Sequence, residues 1–147
     1  MLRVAEQYAG TDTGRQRRAN EDSLLAHAPL FVVADGMGGA QAGEVASRIA
    51  VESFQNGLDD SAEPEEALAA LARVANSRIH ELSHSHAEQA GMGTTLTAIY
   101  VGERDVSRLK QVGPCRRLAF AIETSKLVPP VSTTSTSGAL ASGSASA

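Results

Sequence analysis

Apolar and polar positions change their period several times along the chain, and each change predicts an element. Phe31-Val32-Val33-Ala34 is an apolar run of β-formers without polar alternation, which predicts a strand covered on both faces and ending at Asp35. Gly36, Gly38 and Gly39 follow, so the backbone can turn sharply there and approach an ion or phosphate closely. From Gly43 to Leu58 the apolar residues Val45, Ala46, Ile49, Ala50, Phe54 and Leu58 recur at helical spacing, and this helix would aim its positive end near the glycine turn. Ser61 ahead of Pro64, Glu65 and Glu66 reads as the start of a second helix, whose stripe of Leu68, Leu71, Ala72, Ala75, Ile79 and Leu82 runs to about His86.

The remaining runs read as strands. Leu2 to Gly10 alternates imperfectly and predicts a first strand, Ser23 to Ala28 a second, and Pro29 marks a tight connection to the strand that ends at Asp35. Thr94 to Val101 is the most strand-like stretch, turned back at Gly102 to Asp105 so that Val106 to Val112 can pair with it. Beyond Gly113 the character changes. Pro114 to Leu127 has no clean period, and Pro129-Pro130 opens a tail of Ser, Thr, Ala and Gly that cannot offset its ordering entropy by burial. The organisation expected is therefore a folded part over 1–113 and a non-matching, low-complexity, disordered tail over 114–147.

Composition narrows the classes. The 147 residues suffice for one domain, and 42% hydrophobic residues can fill a core. Only 3% are aromatic, Trp is absent, and the formal net charge is −4, which argues against nucleic acid or an anionic membrane as a partner. Cys115 is the single cysteine, so an intrachain disulfide or thiolate metal cluster is excluded and a cytoplasmic setting is expected. No apolar run reaches membrane-spanning length, and the N-terminus reads without a secretory signal.

Three carboxylates carry the candidate chemistry. Glu21, Asp22 and Asp35 stand at the ends of neighbouring predicted strands, and oxygen-only ligation suits Mg²⁺ or Mn²⁺ rather than zinc or copper. Arg15, Arg17 and Arg18 lie just upstream, where a guanidinium can hold an anion. Together these suggest two metal ions bridged by a carboxylate, activating water against a phosphate. Taken singly, the same residues read as an ordinary turn and a solvated loop. His80 and His84, four apart with His86 nearby, have no third ligand to complete a metal clip, and Cys115 has no base or helix start assigned to make it a nucleophile.

The combination is more specific than its parts. Arg17-Arg18-Ala19-Asn20-Glu21-Asp22-Ser23, Val33-Ala34-Asp35-Gly36-Met37-Gly38-Gly39 with Ala42-Gly43-Glu44-Val45-Ala46-Ser47, and Gly91-Met92-Gly93-Thr94-Thr95-Leu96-Thr97 resemble, in order and spacing, the type 2C metal-dependent serine/threonine protein phosphatases, the bacterial branch above all. The resemblance covers residues 4–112. It implies an α+β fold, part of an α-β-β-α sandwich of two antiparallel sheets flanked by helices. It further implies that Asp35 bridges two Mn²⁺ or Mg²⁺ ions, that the Gly36 carbonyl and Glu21 serve one of them, and that Asp22 holds metal-bound water. Arg17 would bind the substrate phosphate, and the implied partners are proteins phosphorylated on serine or threonine together with the kinase that acts on them. Met37 stands where some members carry a histidine proposed to protonate the leaving alkoxide.

The departures lie downstream. Family members are longer, and after the Gly-Thr-Thr strand carry a Gly-Asp-Ser-Arg turn and then Asp-Gly and Asp-Asn motifs that complete the other metal. Here Val112-Gly113 is followed by Pro114-Cys115-Arg116, and no Asp follows Asp105. About half the sandwich is therefore expected to be missing, through a shift of reading frame near residues 110–114 or a natural truncation. The alternative to a phosphatase is a catalytically incomplete fragment that binds one metal ion or a phosphopeptide.

Overall fold

The computed structural model describes residues 2–15, 19–38, 40–59, 61–112 and 119–126. They form an antiparallel sheet of six strands with two helices on one face. The strands are β1 (Asp22–His27), β2 (Leu30–Met37), β3 (Gly93–Thr94), β4 (Thr97–Val101), β5 (Asp105–Val112) and β6 (Ala119–Lys126). The helices are α1 (Ala40–Glu52) and α2 (Pro64–Ser85). The sheet runs β1-β2-β4-β5-β6, with β3 paired to β2 beyond the end of β4.

Local chemistry explains the connections. β1 and β2 form the expected hairpin, joined through Ala28-Pro29, and the Val101 amide donates to the Pro29 carbonyl at 2.9 Å, which seats β4 beside the turn. α1 ends at Glu52, six residues short of the predicted Leu58, in turns that close at Gly57, whose φ of 77° suits glycine. α2 has Glu63 at its N-cap position and Pro64 in its first turn; Ser61 instead donates its hydroxyl to Asp59 Oδ1 at 2.7 Å. The core lies between helices and sheet, built from Leu30, Val32, Ala34, Ala98 and Leu109 of the strands against Ala46, Ile49, Phe54, Leu68 and Ala72. Ser107, 1% exposed on β5, donates to Glu65 Oε1 at 2.8 Å, so this buried hydroxyl also ties α2 to the sheet.

Four further expectations change. β2 is not covered on both faces: Leu30, Val32, Ala34 and Gly36 are buried while Val33 is 58% exposed, because both helices pack on the same side. Leu2 to Gly10 forms no strand; it runs past the sheet, fixed by Leu2 N–H to the Glu103 carbonyl and by Gln7 to the backbone of Ala26 and Ala28. Thr94 to Val101 is interrupted at Thr95 and Leu96, although its two pieces keep one register against β2. Finally, Ala119–Lys126 of the segment read as tail is a strand paired along all eight residues with β5. Residues 127–147 lie outside the described residues.

Candidate metal and phosphate site

The β1–β2 register places Asp22 opposite Asp35, so the two carboxylates share one face of adjacent strands. That face is the one turned away from the helices. Each aspartate is held through its backbone or side chain by hydroxyl and amide groups. The Asp35 N–H donates to Thr95 Oγ1 at 3.1 Å and the Thr95 N–H donates to the Asp35 carbonyl at 2.9 Å, in the gap between β3 and β4. The Asp22 N–H donates to Asn20 Oδ1 at 3.0 Å, Asn20 Nδ2 donates to Thr11 Oγ1 at 2.9 Å, and Thr11 Oγ1 donates to Asp22 Oδ2 at 3.3 Å.

Glu21 precedes β1, and its carbonyl accepts from the Gly36 N–H at 3.1 Å. Strand alternation turns its side chain to the helix side, where a Cβ added to Gly43 would lie 3.1 Å from Glu21 Cδ. A Cβ at Gly36 would lie 2.0 Å from the Gly43 carbonyl oxygen, so only glycine at position 36 lets the first turn of α1 sit on the strand. The positive end of α1 therefore lies beside Gly36 and the Glu21 carboxyl, as the glycine-helix spacing predicts. Gly38, at φ 127°, approaches the Met92 Cα and joins the Gly91-Met92 turn to the same corner. Ser23 and the fully buried Ser47 exchange a hydroxyl hydrogen bond at 3.0 Å, which locks β1 to α1 one turn further on.

The donor chemistry fits a hard divalent cation, since Asp22, Asp35 and Glu21 offer oxygen alone. The count fits less than the two-ion centre expected. Among the described residues no group of three His, Cys, Asp or Glu is close enough to hold a metal ion, because Asp22 and Asp35 share one face and Glu21 takes the other. Arg17 and Arg18, with Gly39, lie outside the described residues; Arg15 is exposed just ahead of them. His80 and His84 stack with ring centroids 4.1 Å apart, and His84 Nδ1 sits 2.8 Å from the His80 carbonyl, so the pair is engaged within its own helix. A cleft of about 310 Å³ lined by His27, Pro29, Phe54, Leu58 and Tyr100 lies at the other ends of the strands and contains none of the predicted site residues. Sequence reading missed Thr95, Asn20, Thr11 and Ser47 as supports; Thr95, Asn20 and Ser47 stand inside the quoted motifs, and the motif itself is the signal that could have found them.

An antiparallel sheet with helices on one face, cross-strand aspartates and a glycine-seated helix N-terminus defines the class, and comparison with known proteins agrees. Residues 9–115 match the family described as Protein phosphatase 2C, and the chain belongs to that family. It is 44% identical over 105 residues to the serine/threonine protein phosphatase PstP of Mycobacterium tuberculosis, covering 69% of this chain and 20% of PstP. It is 36% identical over 107 residues to the serine/threonine phosphatase stp of Listeria monocytogenes, covering 65% of this chain and 42% of that protein. The solved catalytic domain of PstP in complex with two manganese ions superposes with a TM-score of 0.63 at 39% identity, over 68% of this chain and 44% of that one. The chain thus spans between a fifth and under a half of these relatives.

Proposed function

We propose that this chain supplies the metal- and phosphate-binding edge of a protein phosphatase that hydrolyses phosphoserine and phosphothreonine in proteins. The observation that carries the reading is the cross-strand pair Asp22–Asp35, on strands whose other face seats the α1 N-terminus at Gly36, in a chain whose relatives are named serine/threonine phosphatases. A bound Mn²⁺ or Mg²⁺ ion supplies Lewis acidity toward water and a phosphoryl oxygen. Asp35 would hold that ion, with Asp22 beside it on the same face, and Thr95 holds the Asp35 backbone at its amide and its carbonyl so that the carboxylate is presented without rearrangement. Glu21 adds negative charge beside Gly36, and Arg17 orients the phosphate by its planar fork. Met37, 49% exposed on the same strand, has no proton to give the leaving alkoxide.

The partners on this reading are phosphorylated proteins and a kinase that forms their phosphoesters. The single cysteine supports a cytoplasmic setting, and no helix among the described residues is long and apolar enough to cross a membrane. The test is phosphate release from a phosphothreonine peptide with Mn²⁺. Release above the protein-free background that drops about 100-fold in Asp35→Asn, a loss of roughly 2.7 kcal/mol of transition-state stabilisation, is expected. Equal release by the variant would reject the assignment.

A further inference from the structure

α1 stops at Glu52 although its apolar spacing continues to Leu58, and Gly57 turns the chain back instead. The last row of the sheet on the helix side, where His27 of β1 and Tyr100 of β4 flank Leu30 of β2, therefore lies beneath turns rather than helix. Between this row and the segment from Phe54 to Leu58 opens the cleft of about 310 Å³. Phe54 and Leu30 are buried and form its floor, with Leu25 and Leu58 packed against the core beside them. At the rim His27, Gln55 and Asn56 are exposed, and their side chains have no hydrogen-bond partner among the described residues. The cleft is on the helix side, so the face on which a second sheet packs in the family sandwich takes no part in it, and neither do Glu21, Asp22 and Asp35.

We infer that this cleft binds an uncharged purine base. An apolar floor with a few unpaired polar groups at the rim is the usual form of a small-molecule site. The volume takes on the order of ten water-sized atoms at about 30 Å³ each, which is the size of a fused two-ring base. Gln55 and Asn56 are adjacent carboxamides, each able to donate and accept at once, and a carboxamide is the group that pairs with N6 and N7 of adenine. The rings of His27 and Tyr100 offer faces against which a flat heterocycle can stack, and Phe54 and Leu30 receive its apolar surface. Charge selects the base over the nucleotide. Among the described residues no Lys, Arg, Asp or Glu lines the cleft, so a phosphate finds no counter-charge there, and the negative end of α1 lies on the same side.

The test is nuclear magnetic resonance titration of the full chain with adenine, followed at the backbone amides. Saturable shifts are expected at His27, Gln55, Asn56, Gly57 and Tyr100 while Asp35 and Thr95 stay in place, and adenosine monophosphate should move the same amides only at several-fold higher concentration. Replacing both exposed carboxamides, Gln55→Ala with Asn56→Ala, should weaken adenine binding several-fold with the melting temperature unchanged. Shifts that never saturate or that scatter over the surface, equal affinity for adenosine monophosphate, or undiminished affinity in the double variant would overturn the inference. Because the readout is binding at the far ends of the strands, failure leaves the hydrolysis experiment unaffected.

Discussion

Single residues decide whether this corner can form, and the most exacting is Gly36. Its missing Cβ is the space taken by the Gly43 carbonyl, so Gly36→Ala forces α1 away from β2. Overpacking against backbone of this kind costs about 3 kcal/mol, and chemical denaturation should show at least that loss; a variant as stable as the wild type would mean that the helix is not seated as described. Thr95 acts differently, through hydrogen bonds to Asp35 on both sides. Thr95→Val keeps the shape and removes the hydroxyl, and about 1 kcal/mol of stability should go with it. The carboxylates were legible in the sequence because their spacing matches a family pattern, and the glycines because closeness to backbone leaves no substitute. The supporting hydroxyls were not, since which side chain meets which amide depends on strand register and cannot be read from Thr94-Thr95 alone.

Elements were legible where their pattern is local and strong. Both helices, the β1–β2 hairpin and the β4–β5 pair follow from periodicity and turn residues, and Phe54, fully buried beneath the sheet, confirms the inward stripe of the first helical segment. Phe54→Ala should cost about 3 to 5 kcal/mol, read as a fall in unfolding midpoint, and a change below 1 kcal/mol would place Phe54 outside the core. The misreadings are of strands whose state depends on distant partners. Leu2 to Gly10 has strand-like residues but no ladder, with Tyr8 92% exposed, whereas Ala119–Lys126 lacks a clean period and is a strand because β5 offers it an edge. The helix connection carries a titrating group too. Ser61 donates its hydroxyl and its amide to Asp59, which hold the Asp59 carboxyl below its ordinary value of 3.8. The stability this adds is present above the unfolded carboxyl's pKa and is lost as pH falls through the lower folded value. Carbon-detected titration should find the Asp59 midpoint lowered in the wild type and returned toward 3.8 in Ser61→Ala; an unchanged midpoint would contradict the hydrogen bonds.

At the scale of the molecule, one sheet with helices on one side is half of the layered sandwich that the family resemblance implies, and the exposed face of β2 is where the other half would lie. The fold class was therefore legible from three motifs, while the one-sidedness was not, because an apolar run such as Phe31-Val32-Val33 reads alike whether its second face is covered or open. The arrangement of carboxylates bears on catalysis. Asp22 and Asp35 share one face and Glu21 is turned to the helix side, and among the described residues no three such ligands are close enough to hold an ion. Hydrolysis of p-nitrophenyl phosphate should accordingly run orders of magnitude slower than in a family-length protein, each 1.36 kcal/mol lost being about tenfold in rate, and comparable rates would contradict that ligand count. The central claim is that Asp35 anchors a hard divalent ion, and calorimetric titration with Mn²⁺ tests it most directly. Wild-type protein should show a saturable site whose affinity falls at least about tenfold, or 1.4 kcal/mol, in Asp35→Ala; binding of undiminished affinity in that variant would contradict it.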